Sequence, residues 1–272
     1  MSLKHAKSGR LSWGDRISKP SPRILVTNDD GVTSPGLHAL MAAMRELGAV
    51  SMVAPETENS AIGHAITTAT PLRVNEFALD GKAVGLSVNG TPADCVKLAV
   101  GTLLEQRPDL VVSGINLGPN TATNIIYSGT VSAATEARML GIPSIAISIG
   151  TFKDPLWETA ATYAQRVARM VLKHRLPRKV LLNVNVPNLP LGEVKGVRFT
   201  RQGESGYDER FELHSDPRSV PYYMRVGSYR MSDVDETTDA LSLTQGFVSV
   251  TPVSFDLTSY EMVEELSQWE LS

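Results

Sequence analysis

The sequence predicts an α/β fold: a doubly wound, mainly parallel, Rossmann-like sheet with a C-terminal β-hairpin arm. Three observations carry this. Short apolar runs alternate with segments of helical period from Arg23 onward. The runs are continuous rather than alternating in polarity, as strands covered on both faces by helices require. Glycine, proline and capping residues punctuate the joints between them.

Ile24, Leu25 and Val26 read as the first strand. Leu37, Leu40, Met41, Met44 and Leu47 mark one helical face, and a second strand runs over 50–53. The intervening helix has Ser34 as N-cap, Pro35 in its first position and Gly48 past its end. Thr91-Pro92 opens a second helix, with Val96, Ala99, Val100 and Leu103 on one face, before a strand at 110–112. A third helix opens at Ser128-Gly129-Thr130, runs to about Leu140 and leads past Gly141 and Pro143 into a strand at 145–149. A long helix over 155–174 and a strand over 180–184 complete the pattern.

Beyond residue 190 the texture becomes richer in Gly, Ser, Asp and Arg. Strand candidates lie at 197–200 and 222–226, then a strand at 247–250 and a terminal helix over 257–269. The segment 198–226 reads as an arm that pairs with a second subunit, because a lone hairpin is rarely stable in water. The expected organisation is a flexible leader over 1–22, a catalytic core over 23–190, and an oligomerisation segment over 191–272.

The chain has 272 residues, 42% of them hydrophobic and 20% charged, enough to bury a sizeable core. A net charge of −3 supplies no basic field for a nucleic-acid duplex, so an anionic ligand needs a local device. The single cysteine, Cys95, excludes an intrachain disulfide and a Cys-rich zinc site, and suits a reducing cytoplasm. The leader carries Lys4, Lys7, Arg10, Arg16 and Lys19 without the apolar core of a secretory signal; organelle targeting stays an alternative. No apolar run is long enough to span a bilayer.

Thr27-Asn28-Asp29-Asp30-Gly31 directly follows the first strand, which puts its side chains at the carboxyl end of the sheet, where this class binds ligands. Two adjacent carboxylates repel, and a divalent cation relieves that cost; hard oxygens favour magnesium or manganese, with calcium as an alternative. A solvated turn in which Asp30-Gly31 merely reverses the chain accounts for the same residues. Ser113-Gly114-Ile115-Asn116-Leu117-Gly118-Pro119-Asn120 follows another buried strand. Asn116 offers a carbonyl oxygen to a metal and Asn120 an amide hydrogen to an anion, though these are also ordinary loop residues. Ser128, Gly129 and Thr130 open a helix whose free N–H groups and dipole suit a phosphate, while simple N-capping by Ser128 or Thr130 reads equally from the residues. In the 55–64 loop, Ser60 is a candidate to complete a metal shell and His64 a candidate for proton transfer or substrate contact; each also reads as a plain loop residue. Gly-X-Gly-X-X-Gly, a P-loop and Gly-X-Ser-X-Gly are all absent. Cys95, Trp157, Tyr163 and Met170 read as packing residues.

In combination, Ile24-Leu25-Val26-Thr27-Asn28-Asp29-Asp30-Gly31, Ser113-Gly114-Ile115-Asn116-x-Gly118-x-Asn120 and Tyr127-Ser128-Gly129-Thr130-Val131-x-Ala133-Ala134 closely resemble the SurE (survival protein) family. The resemblance continues through Asn89-Gly90-Thr91-Pro92-Ala93-Asp94-Cys95-Val96, Thr238-Asp239 and the segment 246–252. It implies a divalent-metal-dependent phosphomonoesterase that splits nucleoside 5′- or 3′-monophosphates into nucleoside and phosphate. It also implies a homodimer or homotetramer that exchanges its carboxy-terminal elements. By the same resemblance the metal pattern falls on Asp29, Asp30, Ser60 and Asn116, and the phosphate-binding and catalytic positions on Asn120, Ser128, Gly129 and Thr130, with Asp29 and Asp30 serving both. The family has glycine after the metal-site serine, where this chain has Ala61. Two rivals are an aspartyl-phosphate phosphatase, whose Asp-X-Asp pattern this strand end lacks, and a metal- or nucleotide-binding regulatory module without turnover.

Overall fold

The computed structural model describes residues 21–174 and 176–270. The leader expected over 1–22 lies almost wholly outside these. The elements, in chain order, are β1 (Arg23–Thr27), α1 (Pro35–Arg45), β2 (Ala49–Pro55), β3 (Val74–Leu79), β4 (Lys82–Val88), α2 (Pro92–Leu98), β5 (Leu110–Leu117), α3 (Gly129–Met139), β6 (Ser144–Ile149), α4 (Trp157–Lys173), β7 (Val180–Val186), β8 (Val197–Phe199), β9 (Gly206–Ser215), β10 (Pro221–Arg230), α5 (Asp239–Thr244), β11 (Val248–Ser254) and α6 (Tyr260–Leu266).

The central sheet has the order β3-β4-β2-β1-β5-β6-β7-β11-β8. The six strands from β4 to β7 are mutually parallel, whereas β3 and β11 run antiparallel to their neighbours β4 and β7. Continuous apolar runs arise because successive side chains enter different cores. Ile24 and Val26 join Leu110, Val112, Ile145 and Ile147 in a cluster with α1 and α4, while Leu25, Val53 and Val111 join one with α2 and α3. The chain winds outward from β1 to β2 on one side and from β5 to β7 on the other, so the switch in winding falls between β1 and β5. Crevices at such points bind ligands.

Local chemistry explains the helix starts. Thr91 and Asp94 form a reciprocal capping box at α2. Pro35 opens α1 after Ser34, although the Ser34 side chain makes no capping bond. Gly48 follows α1 for a different reason than a left-handed cap: a Cβ there would lie 2.0 Å from the carbonyl oxygen of Pro22. The second helix is shorter than its apolar face implies. It ends at Leu98 and continues as a wider turn over Ala99–Leu103, leaving Val100 and Leu103 only half-buried.

Three features differ from the sequence reading. The hairpin β3–β4 was not foreseen. The strand near 197 belongs to the central sheet beside β11, and the arm is instead β9–β10, paired over ten residues as a separate two-stranded sheet. The terminal helix spans only Tyr260–Leu266, with no buried residue. No helix among the described residues is long and apolar enough to cross a membrane.

Candidate active site

The end of β1 delivers four consecutive polar residues to the switch point. Thr27 and Asn28 are fully buried, Asp29 is 4% exposed and Asp30 is half-buried. The turn is fixed from both sides: Asn28 Nδ2 donates to the Gly31 carbonyl at 2.9 Å, and the Asn59 N–H donates to the Asp29 carbonyl at 2.7 Å. Gly31 has φ +94°, and a Cβ there would press on the backbone of Thr57 at 3.1 Å. Asp30-Gly31 does reverse the chain, and in doing so it aims two carboxylates at β5 and α3.

Asp29 meets the first turn of α3. Its Oδ1 accepts the Thr130 hydroxyl, and the Thr130 backbone N–H also supports the carboxylate. This close seat requires Gly129, because a Cβ there would lie 2.8 Å from Asp29 Cβ. Asp30 Oδ2 accepts the Leu117 N–H at 3.2 Å. Burial raises the Asp29 carboxyl above its usual range, partly offset by Thr130. Burial first, and then the charges of Asp29 and Glu58, push Asp30 up to about 7 against the Leu117 hydrogen bond. Neither carboxylate forms an ion pair with a cationic side chain among the described residues.

The pairing of β5 with β6 passes from Ser113↔Ala146 to Asn116↔Ser148, so β5 carries an extra residue there. This bulge carries Asn116 to the strand's end. Asn116 Nδ2 donates to the Gly118 carbonyl at 2.7 Å, which orients the side chain amide. Asn120 is clamped: its N–H donates to Asn185 Oδ1 at 2.8 Å, its carbonyl accepts Asn183 and Asn185, and its Nδ2 donates to Ser148 Oγ at 2.9 Å. Ser128 caps α3, accepting the Val131 N–H at 3.1 Å. Ser60 sits exposed on the β2–β3 loop and donates to Glu58 Oε1 at 2.5 Å. The next residue, Ala61, takes φ +56°, the left-handed region where glycine is at ease.

Asp29, Ser60, Asn116, Asn120 and Ser128 line one cleft of about 1110 Å³. Asp30 and Thr130 stand behind it, joined through Leu117 and Asp29. The opposite wall comes from the arm and had no sequence signal of its own; it brings Tyr207, Arg225 and Arg230, with Arg225 paired to Glu209 at 3.3 Å. Phe152 forms a further wall, its ring so close to Gly118 that a Cβ there would lie 2.2 Å away. His64 is not part of the cleft lining: its Nε2 lies 3.0 Å from Glu136 Oε2 on α3. Cys95 is fully buried, and desolvation raises its thiol far above the usual range, as befits a packing residue.

Among the described residues no group of three or more His, Cys, Asp or Glu is spaced to hold a metal. Asp29, Ser60 and Asn116 line the cleft and Asp30 adjoins Asp29; two carboxylates and two neutral oxygens are a hard donor set that suits a small divalent cation. The Asn28 Oδ1 beside them is buried with no partner. Adjacent buried carboxylates without a counter-ion are a costly arrangement that such a cation neutralises.

Comparison with known proteins agrees with this architecture. The family model described as survival protein SurE matches residues 24–209. The 5′-nucleotidase SurE of Syntrophobacter fumaroxidans is 49% identical over 92% of this chain and 100% of its own length. That of Carboxydothermus hydrogenoformans is 47% identical over 91% and 96%. The crystal structure of the SurE protein from Aquifex aeolicus superposes with a TM-score of 0.80 at 42% identity, covering 90% of this chain and 98% of the other. With a family model matched over most of its length and near full-length similarity to these relatives, this chain belongs to the SurE survival protein family.

Proposed function

We propose that the chain is a 5′-nucleotidase: a divalent-metal-dependent phosphomonoesterase that hydrolyses nucleoside monophosphates to nucleoside and inorganic phosphate. The observation that carries this reading is the adjacent pair Asp29–Asp30, one buried and one half-buried and neither with a cationic partner among the described residues, beside a cleft at the sheet's switch point. The two curated bacterial relatives named above carry 5′-nucleotidase in their names, and the Aquifex aeolicus structure shares the fold.

Asp29, Asp30, Ser60 and Asn116 would hold one magnesium or manganese ion. When bound, such an ion supplies Lewis-acid charge at a phosphoryl oxygen and favours attack by water. The chain does the rest by orientation. Asn120 has one amide hydrogen committed to Ser148 and the other available for a phosphoryl oxygen. The N-terminus of α3, from Ser128 to Thr130, brings its dipole to the same cleft. Fixed dipoles of this kind stabilise charge on the equatorial oxygens as the bond from phosphorus to the leaving oxygen breaks. Thr130 also offsets part of the rise that burial imposes on the Asp29 carboxyl.

The test is phosphate release from a panel of nucleoside monophosphates with magnesium or manganese, with and without chelator, beside Asp29→Asn and Asp30→Asn. Chelator-sensitive release that both variants abolish is the expected result. Nucleotide binding without release would make the cleft a regulatory module instead. A trapped phosphoryl-aspartate would replace water by a carboxylate as nucleophile.

The arm β9–β10 is exposed along most of both strands, and α6 buries nothing. These two elements, from the segment 191–272, are the ones we assign to exchange between subunits of a homodimer or homotetramer. The single cysteine fits a cytoplasmic protein.

A further inference from the structure

The Ser60 loop, residues 56–73, contains no helix or strand, yet it is held at many points. Asn59 N–H donates to Asp29, Gly63 N–H to the Tyr127 carbonyl at 2.9 Å, and Thr67 N–H to both oxygens of Asp94 at 3.0 and 3.2 Å. The Thr91 hydroxyl donates to the Ala65 carbonyl at 2.8 Å. Among the described residues the Ser60 side chain is tied only to Glu58 in its own loop, so these clasps decide where it stands relative to Asp29.

Among the described residues, the one hydrogen-bonded clasp from this loop made by two side chains is His64 with Glu136. Glu136 is 2% exposed on α3, two turns beyond Ser128, and belongs to the same helix that seats Asp29. Its Oε2 meets His64 Nε2 at 3.0 Å and its Oε1 accepts Lys97 Nζ, on α2, at 2.9 Å. A buried carboxylate is costly unless its oxygens are matched. Burial works to raise its pKa, and His64 and Lys97 together more than reverse this, leaving the carboxyl below its usual range. Lys97 alone would supply a counter-charge; the second partner ties the loop to α3.

We propose that Glu136 is a positioning residue for the metal site, acting through His64 to hold the 56–73 loop so that Ser60 is presented to the same ion as Asp29. This rests on the reading of Ser60 as a metal ligand. Helix α3 then governs the site twice, through Thr130 on Asp29 and through Glu136 on the Ser60 loop. Outer partners of metal ligands typically control affinity by about 10- to 100-fold.

The test uses the full-length protein. Manganese affinity is measured by calorimetry, and amide exchange is followed over residues 57–68, in His64→Ala, Glu136→Ala, Glu136→Gln and Lys97→Met. His64 is one-third exposed, so its truncation spares the fold if Glu136→Ala does not. The expected result is manganese binding about tenfold weaker, with faster loop exchange, in His64→Ala and Glu136→Ala. Glu136→Gln should lose less, Lys97→Met should stay within about twofold, and saturating manganese should restore kcat. Unchanged manganese affinity in both alanine variants overturns the proposal, as does an equal loss in Lys97→Met. A wild-type protein that binds manganese and loses it in His64→Ala, yet releases no phosphate from nucleotides, would sink the nucleotidase reading alone. A wild-type protein that binds no manganese sinks both.

Discussion

The hydroxyl of Thr130 donates to the carboxylate of Asp29 across 101 residues of sequence, binding the first turn of α3 to the end of β1. Burial raises the Asp29 carboxyl, and this bond opposes the rise. Thr130→Val keeps the shape and removes the donor, so Asp29 should hold its proton to higher pH and release it less readily to a metal. Manganese affinity at pH 7 should fall by about tenfold and recover as pH rises, while Thr130→Ser stays near wild type. Calorimetric titration at pH 6, 7 and 8 decides this, and equal affinities in the valine and wild-type proteins would contradict it.

Asp30 links the site to stability. Its pKa in the fold, about 7, exceeds that of an unfolded aspartate, about 3.9. The unfolded chain therefore sheds this proton first. The contribution of Asp30 to stability is fully present below about pH 4 and is lost as pH rises through 7. Metal-free wild type should lose stability relative to Asp30→Asn across that window, as urea melts from pH 4 to 8 would show. Magnesium or manganese should raise the wild-type midpoint more at pH 8 than at pH 5, because the ion competes with the proton. A wild-type-minus-variant difference that is flat with pH would refute the assignment.

Continuity of apolar runs such as Ile24-Leu25-Val26 made the parallel core legible, because only strands covered on both faces can dispense with alternation. Thr91-Pro92 and Ser128-Gly129 announced two helix starts through capping chemistry. The β3–β4 hairpin was missed although its signal is local: Asp80-Gly81, both at positive φ, is a standard two-residue hairpin turn between Leu79 and Lys82. Asp29 and Asn116 declared themselves by following buried strands. Ser60 did not, since an exposed serine in an irregular loop has no period or cap to mark it; only the family pattern singled it out. Arg225 and Tyr207 reach the cleft through the folding back of a long arm, a relationship set by tertiary structure and carried by no local motif.

Two small residues at the site should respond in opposite ways. Gly129→Ala would drive a Cβ to 2.8 Å from Asp29 Cβ and to 3.2 Å from Pro92 Cγ, against a carboxylate that is itself buried and a ring that cannot rotate away. A loss of about 1–3 kcal/mol, typical of overpacking, should accompany weaker metal binding. Ala61→Gly removes a side chain from a left-handed position and should be neutral to stabilising in the fold, offset in part by greater freedom of the unfolded chain. Urea denaturation of both variants checks the pair, and a Gly129→Ala protein as stable as wild type would mean that α3 can shift away from Asp29.

The arm separates local folding from assembly. Strands β9 and β10 pair with each other over ten residues but belong to no larger sheet, and they expose Phe211, Leu213, Tyr223 and Met224. Two strands alone bury too little to be stable in water, so a second subunit is the natural cover. The arm's base, by contrast, is fastened to the core: Ser205 Oγ donates to Asp233, and the Ser205 carbonyl accepts the Thr123 hydroxyl at 3.2 Å. Replacing residues 207–229 by a short Gly-Ser turn should therefore leave the core folded, with a near-native circular dichroism spectrum, while lowering the sedimenting mass. Because Arg225 leaves with the arm, KM for nucleotides should rise by more than kcat falls. A shortened protein that sediments as the same oligomer would show that α6 or the core, and not the arm, holds the subunits together.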